Sequence, residues 1–491
     1  MRQKNLPPNA ANLIESTRSI GYSFEMALAD IIDNSISNGA RNVSIQFSLE
    51  DAPENAYVSV LDDGVGMNSD ALASAMRYGS SDVHAERDHN DLGRFGLGLK
   101  MASMSQCRQL TVVSKQHGEL TAAQWDLDHI HQTQEWSLQL YSADEISQFP
   151  GVAALKERVQ GTLILWMKLD QISDSPESFS NEFARKMDYA SQHLALVFHR
   201  YLETMSVEKR LTISMNGREL KPIDPFLRSN SFTQVLEEQA LLVDRKVVKI
   251  TPFIMPFASN MSVQERNEAD SLKGLGLNQG LYIYRNHRLI VWGKWFRLIR
   301  DSELRRLARV QIDLPNSLDD YWKIDVKKST AQVPAQLRER IKQIVIKAVG
   351  KSERVYSYRG RKLETSSFDD IWEKIDNRGN ESYLIDRGFP VVSAFRDGLN
   401  DSQARMFEGV LKIIEEGFPF MSVYYDVAND HKLESTPIED ERAYELAKQT
   451  ISALATTLGS TQDAYRALMK TEWIQKNSKV KKMLGEDYAG D

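Results

Sequence analysis

The sequence is poor in cysteine, since Cys107 is the single one among 491 residues. A lone cysteine excludes an internal disulfide and any zinc site built on several thiolates, and it fits a reducing compartment. The nine histidines include no HExxH spacing, so the helix motif of zinc proteases is excluded as well.

Long apolar runs are also missing. Runs such as 163–167 are far shorter than the ~18 residues that a membrane-spanning helix needs. The first residues, MRQKNLPPNAAN, lack the apolar stretch of a signal peptide. We therefore expect a cytoplasmic protein without a membrane partner. The net charge of −7 argues against a chain that binds polyanions over its whole surface.

The length of the chain exceeds what one hydrophobic core supports and predicts about three domains. We place their boundaries at 1–225, 226–350 and 351–491. The first boundary falls at the string PIDPF, after the hairpin signal Asn216-Gly217, and the second precedes a basic, tyrosine-rich stretch.

Residues 27–40 read ALADIIDNSISNGA and predict a helix that ends at the Asn-Gly pair. At helical spacing its leucine and isoleucine side chains share one face. Asp30, Asp33 and Asn34 crowd the other face, and no Lys or Arg stands beside them in the sequence. The pattern taken alone favours a solvated helix face, and the alternative is a site for a metal ion and phosphates.

Two glycine-rich segments follow. The strand-like AYVSVLDDGVGMN, at 56–68, stops at two acids and turns on glycines, which an ordinary Asp-Gly turn also explains. After a long loop-like stretch, GRFGLGLKMASM at 93–104 leads a glycine turn into a helix, an arrangement that can cradle phosphate. Neither the βαβ context of a dinucleotide-binding motif nor a GxxxxGK[ST] loop accompanies it.

The order of these motifs resembles the GHKL ATPase superfamily, which joins gyrase B subunits, heat-shock chaperones, histidine kinases and mismatch-repair ATPases. The strand-like QGTLILWMKLD at 160–170 supplies a fourth motif in the expected place. The resemblance implies an α+β protein whose residues 1–225 form a GHKL (Bergerat) α/β sandwich that binds ATP and Mg²⁺.

The resemblance also implies roles for individual residues. Asn34 would hold Mg²⁺ against the phosphates of ATP. Asp62 would accept a hydrogen bond from the adenine amino group, with support from Thr162. The other positions implied to bind the nucleotide are Gly64, Gly66, Met67, Gly93, Phe95, Gly96, Leu97, Gly98 and Lys100.

The sequence departs from the family at the general base. Members that hydrolyse ATP usually carry a glutamate four residues before the asparagine, and here that position is Asp30. Aspartate is shorter by one methylene, roughly 1.5 Å of reach. We expect Asp30 to act as the base and turnover to be slow. The alternative is a scaffold that binds the nucleotide without hydrolysing it.

Two later segments resemble the microrchidia (MORC) and mismatch-repair branches. They are LTISMNGRELKPIDPF at 211–226 and LNQGLYIYRNHRLIVWGKWFRL at 277–298. The resemblance implies a transducer domain of the ribosomal-S5-like α/β type over 226–350. In YWKIDVKKST, a strand-like WKIDV leads to two lysines, of which Lys328, with Lys327 as the alternative, would reach the γ-phosphate. Two surface lysines before a helix are the plainer interpretation.

Residues 351–491 predict a small α/β or helical domain. We expect FDDIWEKI to be a helix, SYLIDRGFPVVSAF to be a buried strand, and 401–416 and 440–458 to be helices. The segment resembles the C-terminal part of bacterial MORC-like ATPases from restriction and phage-defence gene clusters.

The function implied is an ATP-gated clamp. ATP binding would form a homodimer that closes on a client, with DNA as the candidate client, in phage defence or in DNA restriction or repair. Proteins of the same gene cluster are candidate partners. A chaperone-like clamp on a protein client is the alternative. A histidine kinase is not expected, because the 33 residues before Asn34 contain no histidine.

Overall fold

The structure is a computed structural model of the chain. It describes residues 8–19, 21–49, 55–78, 98–173, 175–204, 210–257, 260–266, 279–300, 307–319, 321–325, 330–357, 371–377, 380–420, 422–423 and 439–488. The chain divides into two compact units, Met1–Glu353 and Arg354–Asp491. No helix in these ranges is long and apolar enough to cross a membrane.

An eight-stranded mixed sheet organises the first part of unit 1. Its spatial order is β5-β4-β3-β6-β2-β1-β7-β8. The strands are β1 Asn42–Ser48, β2 Tyr57–Asp62, β3 Gln109–Gln116, β4 Glu119–Asp126, β5 Gln139–Leu140, β6 Gly161–Met167, β7 Thr212–Met215 and β8 Arg218–Glu219. The turn between β7 and β8 is the predicted Asn216-Gly217, and both residues have the positive φ that such a tight hairpin requires.

Nine helices are described around this sheet. They are α1 Ala10–Arg18, α2 Phe24–Ser37, α3 Ser69–Met76, α4 Gly98–Met104, α5 Leu127–Thr133, α6 Ala143–Ile146, α7 Val152–Glu157, α8 Pro176–Val197 and α9 His199–Leu202. The main core contains apolar residues of α1, α2, α4, α5 and α8, so these helices cover one face of the sheet. A smaller cluster from α6 and α7 covers part of the other face. The predicted α+β class is confirmed.

Helix α2 lies at the centre of that core. Its apolar side chains Leu28, Ile31 and Ile32 are fully buried, and the helix packs against α4 and α8. It ends at Asn38, and the positive φ of Gly39 turns the chain toward β1.

The register of β2 brings two predicted site segments together. β2 pairs antiparallel with β6, so that Leu61 lies opposite Leu163. The end of β2 at Asp62 therefore lies beside the start of β6 at Gly161 and Thr162. Residues far apart in sequence share one end of the sheet for this reason.

A second sheet, of six strands, occupies the rest of unit 1 with the order β10-β11-β14-β12-β13 and β9 paired to β11. The strands are β9 Gln234–Val235, β10 Gln239–Val243, β11 Lys246–Ile254, β12 Gly280–Arg285, β13 Arg288–Lys294 and β14 Ala308–Leu314. The long helix α10, Ala335–Ser357, follows. The turn from β12 to β13 is Asn286-His287, again with positive φ at both residues.

The β12–β13 hairpin contacts the helices of the first sheet. Leu196 of α8 is buried in one cluster with Tyr282, Tyr284 and Leu289 of the hairpin. The Tyr201 hydroxyl donates to the carbonyl of Asn286 in the hairpin turn. The turn is thereby held close to α2, which also packs against α8.

Unit 2 has one hairpin and six described helices. They are β15 Trp372–Asn377, β16 Asn380–Ile385, α11 Pro390–Asp397, α12 Asp401–Glu416, α13 Asp440–Leu458, α14 Thr461–Met469, α15 Glu472–Lys476 and α16 Ser478–Tyr488. The predicted helices at 401–416 and 440–458 are confirmed. The core of the unit is formed mainly by buried residues of α13, α14 and α16.

Two predictions in unit 2 are wrong. FDDIWEKI was expected to be helical, but its second half lies in β15, where Trp372 pairs with Ile385 of β16. SYLIDRGFPVVSAF was expected to be one strand, but the strand ends at Ile385 and a helix begins at Pro390. Proline fits the first turn of a helix, because the missing N–H has no partner there in any case.

Candidate functional site

Asp62 is held by three hydrogen bonds at the end of β2. Its Oδ1 accepts from the backbone N–H groups of Gly64, at 3.0 Å, and Thr162, at 3.1 Å. Its Oδ2 accepts from the Ser35 hydroxyl of α2, at 2.8 Å. The carboxylate is 6% exposed. An ionised carboxylate has about four acceptor sites, so it retains acceptor capacity for a ligand.

Asp62 and its neighbour Asp63 are shifted in opposite directions. Burial raises the pKa of the Asp62 carboxyl above its ordinary value, and its hydrogen bonds only partly offset this. Burial also acts on Asp63, but hydrogen bonds from Asn42 and Arg41 outweigh it and lower the pKa of that carboxyl. The Asp63 carboxylate thus accepts hydrogen bonds from residues at the start of β1. For Asp62, burial disfavours the ionised form of the carboxyl.

The two glycines after Asp62 have no room for a side chain. A Cβ at Gly64 would lie 2.9 Å from the carbonyl oxygen of Asn38. Gly66 has φ +68, and a Cβ there would overlap the carbonyl of Lys115 in β3. The turn therefore requires glycine because backbone approaches backbone.

A hydroxyl pair joins the turn to β6. The Ser114 Oγ accepts from the N–H of Met67, at 2.8 Å, and donates to the carbonyl of Gly161, at 3.1 Å. It also lies 3.1 Å from Oγ1 of Thr162. These bonds fix the predicted positions Met67 and Thr162 on either side of Ser114.

The two aspartates of α2 are buried. Asp30 is 2% exposed and Asp33 is fully buried, so the solvated-face interpretation of ALADIIDNSISNGA is excluded. The Tyr22 hydroxyl donates to Oδ2 of Asp30 at 3.0 Å. A Cβ at Gly98, the first residue of α4, would lie 3.8 Å from the same oxygen. Gly98, the last glycine of the glycine-rich motif, therefore lies beside the acid predicted to be the base.

An arginine of the second sheet forms ion pairs with both aspartates. Nε of Arg288 lies 2.8 Å from Oδ2 of Asp33, and one of its terminal nitrogens lies 4.0 Å from Oδ1 of Asp30. Arg288 is itself 3% exposed and stands over the ring of Phe198. The absence of a nearby Lys or Arg in the sequence is thus compensated by a residue at the start of β13.

Asn34 is half-buried on α2. Its backbone carbonyl accepts from the N–H and the side-chain amide of Asn38, whereas its own side-chain amide makes no hydrogen bond within the described ranges. An amide oxygen in this position fits a hard cation such as Mg²⁺. The described residues contain no cluster of three or more His, Cys, Asp or Glu that could hold a metal ion.

Lys100 is 2% exposed, and its ammonium donates to the carbonyl of Ala75 at 2.7 Å. Burial lowers the pKa of Lys100 to about 8. The remaining predicted positions Gly93, Phe95, Gly96, Leu97 and Lys328, with its alternative Lys327, lie outside the described residues.

Asp325, which precedes the two lysines, lies close enough to Tyr22 to act on its hydroxyl. Burial and then the Asp30 carboxylate raise the pKa of Tyr22, and Asp325 adds to the increase. Oδ1 of Asp325 accepts from the N–H of Thr330 at 2.9 Å. The strand predicted for WKIDV is wrong over its described part, because 321–323 form a turn with positive φ at Lys323.

Sequence reasoning missed four residues of this site: Tyr22, Ser35, Ser114 and Arg288. Ser35 follows Asn34 directly and faces β2, a direction that helical spacing relative to Leu28 and Ile32 could have indicated. The hydroxyl of Ser114 and the charge of Arg288 carry no local signal, because their partners are distant in sequence.

The comparisons with known proteins agree with this geometry. A family model described as "Histidine kinase-, DNA gyrase B-, and HSP90-like ATPase" matches residues 22–162, a range that begins at Tyr22 and ends at Thr162. Over these residues the chain therefore matches an ATPase domain of the GHKL type. The matched range includes the whole of α2, the end of β2 and the start of β6.

Similarity to a MORC protein was found as well. "ATPase morc-1" of Caenorhabditis elegans is 31% identical over 96 residues, which are 20% of this chain and 11% of that protein. The chain thus matches only a small part of the length of this relative. The findings support a MORC-like, ATP-binding ATPase.

The Asp62→Asn variant tests the prediction that Asp62 accepts a hydrogen bond from the adenine amino group. The asparagine oxygen can accept from Gly64 and Thr162 while its NH₂ donates to Ser35, so the fold should be retained. An amide presents a donor where a carboxylate accepts, and we expect ATP affinity to fall by about 10- to 100-fold. Calorimetric titration measures this, with Asp63→Asn as the matched control that keeps the affinity.

The same variant has a predictable effect on stability. The folded state raises the pKa of Asp62, so the wild type loses stability as the pH rises above 3.8, the ordinary value of this carboxyl. The free energy of unfolding of Asp62→Asn relative to wild type should therefore increase with pH in urea titrations. A difference that does not change with pH would contradict the raised pKa.

Proposed function

We propose that the chain binds ATP with Mg²⁺ through the ends of β2, α2 and α4 and hydrolyses it. The observation that carries the proposal is the meeting of Gly98 with Asp30, one helix turn from Asn34 and beside the Ser35–Asp62 hydrogen bond. It supports a site with a base-binding end at Asp62 and a phosphate end at α2 and α4.

The proposed contacts follow this division. Asp62 accepts from the adenine amino group, and Gly64, Gly66, Met67 and Thr162 line that end. The turn at Gly93, Phe95, Gly96, Leu97 and Gly98 covers the phosphates, with Lys100 behind it. Asn34 would hold Mg²⁺, which supplies positive charge against the phosphate oxygens when bound.

Asp30 is the proposed general base. Its Oδ2 is oriented by the Tyr22 hydroxyl and lies next to Gly98, where an attacking water could be held. The short side chain disfavours fast proton transfer, because it reaches less far than a glutamate, so the proposed turnover is slow. Lys328, with Lys327 as the alternative, completes the site from the segment that follows Asp325.

The larger proposal is a nucleotide-gated clamp made of 1–225, the transducer domain 226–350 and the C-terminal domain 351–491. ATP binding would join two chains, and DNA is the proposed client, in phage defence or in DNA restriction or repair, in the cytoplasm, with proteins of the same gene cluster as partners. The MORC-like strings and the Arg288–Asp33 contact between the two sheets support this proposal, because such a contact can transmit a change at the phosphates.

The Asp30→Asn variant tests hydrolysis. It preserves the size of the side chain and can still pair with Tyr22, but it cannot take a proton from water. We expect steady-state ATP turnover to fall by at least about 100-fold while the affinity for ATP changes little. Retained turnover would remove Asp30 from the role of base, and no turnover in the wild type would support a non-hydrolysing scaffold.

Light scattering of the full chain tests the clamp. The mass should double with a non-hydrolysable ATP analogue and return to the lower value with ADP, because only the γ-phosphate holds the dimer. An unchanged mass would contradict the gated dimer. Turnover with and without double-stranded DNA then tests the client, since a protein clamp would show no stimulation by DNA.

A further inference from the structure

Arg288 links the proposed catalytic helix to the second sheet. It is the first residue of β13, directly after the Asn286-His287 turn. From there its guanidinium enters the buried face of α2, with Nε 2.8 Å from Oδ2 of Asp33. The Tyr201 hydroxyl donates a hydrogen bond to the carbonyl of Asn286 and so holds the hairpin in place. The backbone of Arg288 is therefore fixed relative to α2.

The surroundings of Arg288 fix its orientation on more than one side. Oδ2 of Asp33 forms an ion pair with the guanidinium, 2.8 Å from Nε, and Oδ1 of Asp30 lies 4.0 Å from a terminal nitrogen. The ring of Phe198 has its centre 5.7 Å from the guanidinium carbon, within reach of a cation–π contact. A planar guanidinium held in this way retains one geometry more strictly than a flexible ammonium would.

Asp30 is therefore held from two directions. Tyr22 donates to Oδ2 at 3.0 Å, and the positive charge of Arg288 attracts Oδ1. With both oxygens restrained, the carboxylate has little freedom to rotate away from Gly98. An aspartate has less reach than a glutamate, so its direction matters more for contact with a water.

We infer that Arg288 is a positioning residue for ATP hydrolysis, which it supports by orienting Asp30 while anchored on Asp33. The inference rests on the proposed role of Asp30 as the base. It makes hydrolysis depend on the second sheet, because the guanidinium that orients the base belongs to the β12–β13 hairpin. Binding of the adenine at Asp62 does not depend on this contact.

The chain offers a matched control in Arg285, on the other side of the same turn. Arg285 is buried like Arg288, and its Nε lies 2.9 Å from both carboxylate oxygens of Asp319. Asp319 follows β14 and belongs to the second-sheet part of the unit. Loss of either arginine removes a buried ion pair of the hairpin. The pair of Arg285 is with Asp319, whereas the pairs of Arg288 are with Asp30 and Asp33.

The test compares Arg288→Gln, Arg288→Lys and Arg285→Gln in the full chain. Steady-state turnover gives kcat and KM for ATP, and calorimetry gives the affinity for a non-hydrolysable analogue. We expect Arg288→Gln to lower kcat by about 100-fold, the effect of a base misplaced by about 1 Å, with analogue affinity within about 3-fold. Arg288→Lys should recover part of kcat, and Arg285→Gln should keep it within about 3-fold.

Equal kcat in Arg288→Gln and Arg285→Gln would overturn the inference, as would a loss of analogue affinity that matches the loss of kcat. If Arg288→Gln does not fold, Arg288→Lys decides, because it keeps the charge and loses the planar fork. A kcat equal to wild type in that variant would also overturn the inference.

Failure of the proposed function has a different signature. If Asp30→Asn retains turnover, the base is misassigned and the inference falls with it. If Asp30→Asn loses turnover while Arg288→Gln retains it, the proposed function stands and only the positioning role is overturned.

Discussion

The buried ion pair between Arg288 and Asp33 is the contact on which the polar face of α2 depends. Asp33 is fully buried and Asp30 is 2% exposed, and a buried carboxylate that loses its partner costs several kcal/mol. Helix α2 can bury this polar face because β13 supplies a guanidinium 2.8 Å from Asp33. The helix and the second sheet therefore form one structural unit at this point.

The site uses its carboxylates in different ways. Among the described contacts, Asp62 accepts three hydrogen bonds and forms no ion pair, an arrangement that suits recognition of an amino group by a pre-oriented acceptor. Asp30 has a tyrosine on one oxygen and an arginine near the other, which suits a side chain whose direction matters. Asp63 accepts hydrogen bonds from Arg41 and Asn42 at the start of β1 and takes no part in the proposed binding.

Local signals predicted the parts of this fold that local forces determine. The Asn216-Gly217 turn, the C-terminal end of α2 and the periodic helices of unit 2 follow from turn chemistry and spacing. The residues around Asp62 were predicted because the motif is contiguous. The family match to residues 22–162 covers α2 and the motif around Asp62.

Pairing over long distances in sequence was not predictable in the same way. The partner of Asp33 lies in another sheet, and no pattern in ALADIIDNSISNGA points to it. FDDIWEKI has the spacing of a helix, yet pairing of Trp372 with Ile385 makes its second half a strand. Ser114 contributes a hydroxyl, which has no spacing signature, although it joins Met67 to Gly161.

The central claim is that the polar face of α2 receives the phosphates of ATP through Asn34. Calorimetric titration of Mg-ATP into wild type and Asn34→Ala tests it most directly. Asn38→Ala, one turn further along, serves as the control, because its side chain is exposed and bonds only the Asn34 carbonyl among the described contacts. We predict binding of Mg-ATP to wild type and Asn38→Ala and its loss in Asn34→Ala. Equal affinity in all three proteins would contradict the assignment of the site.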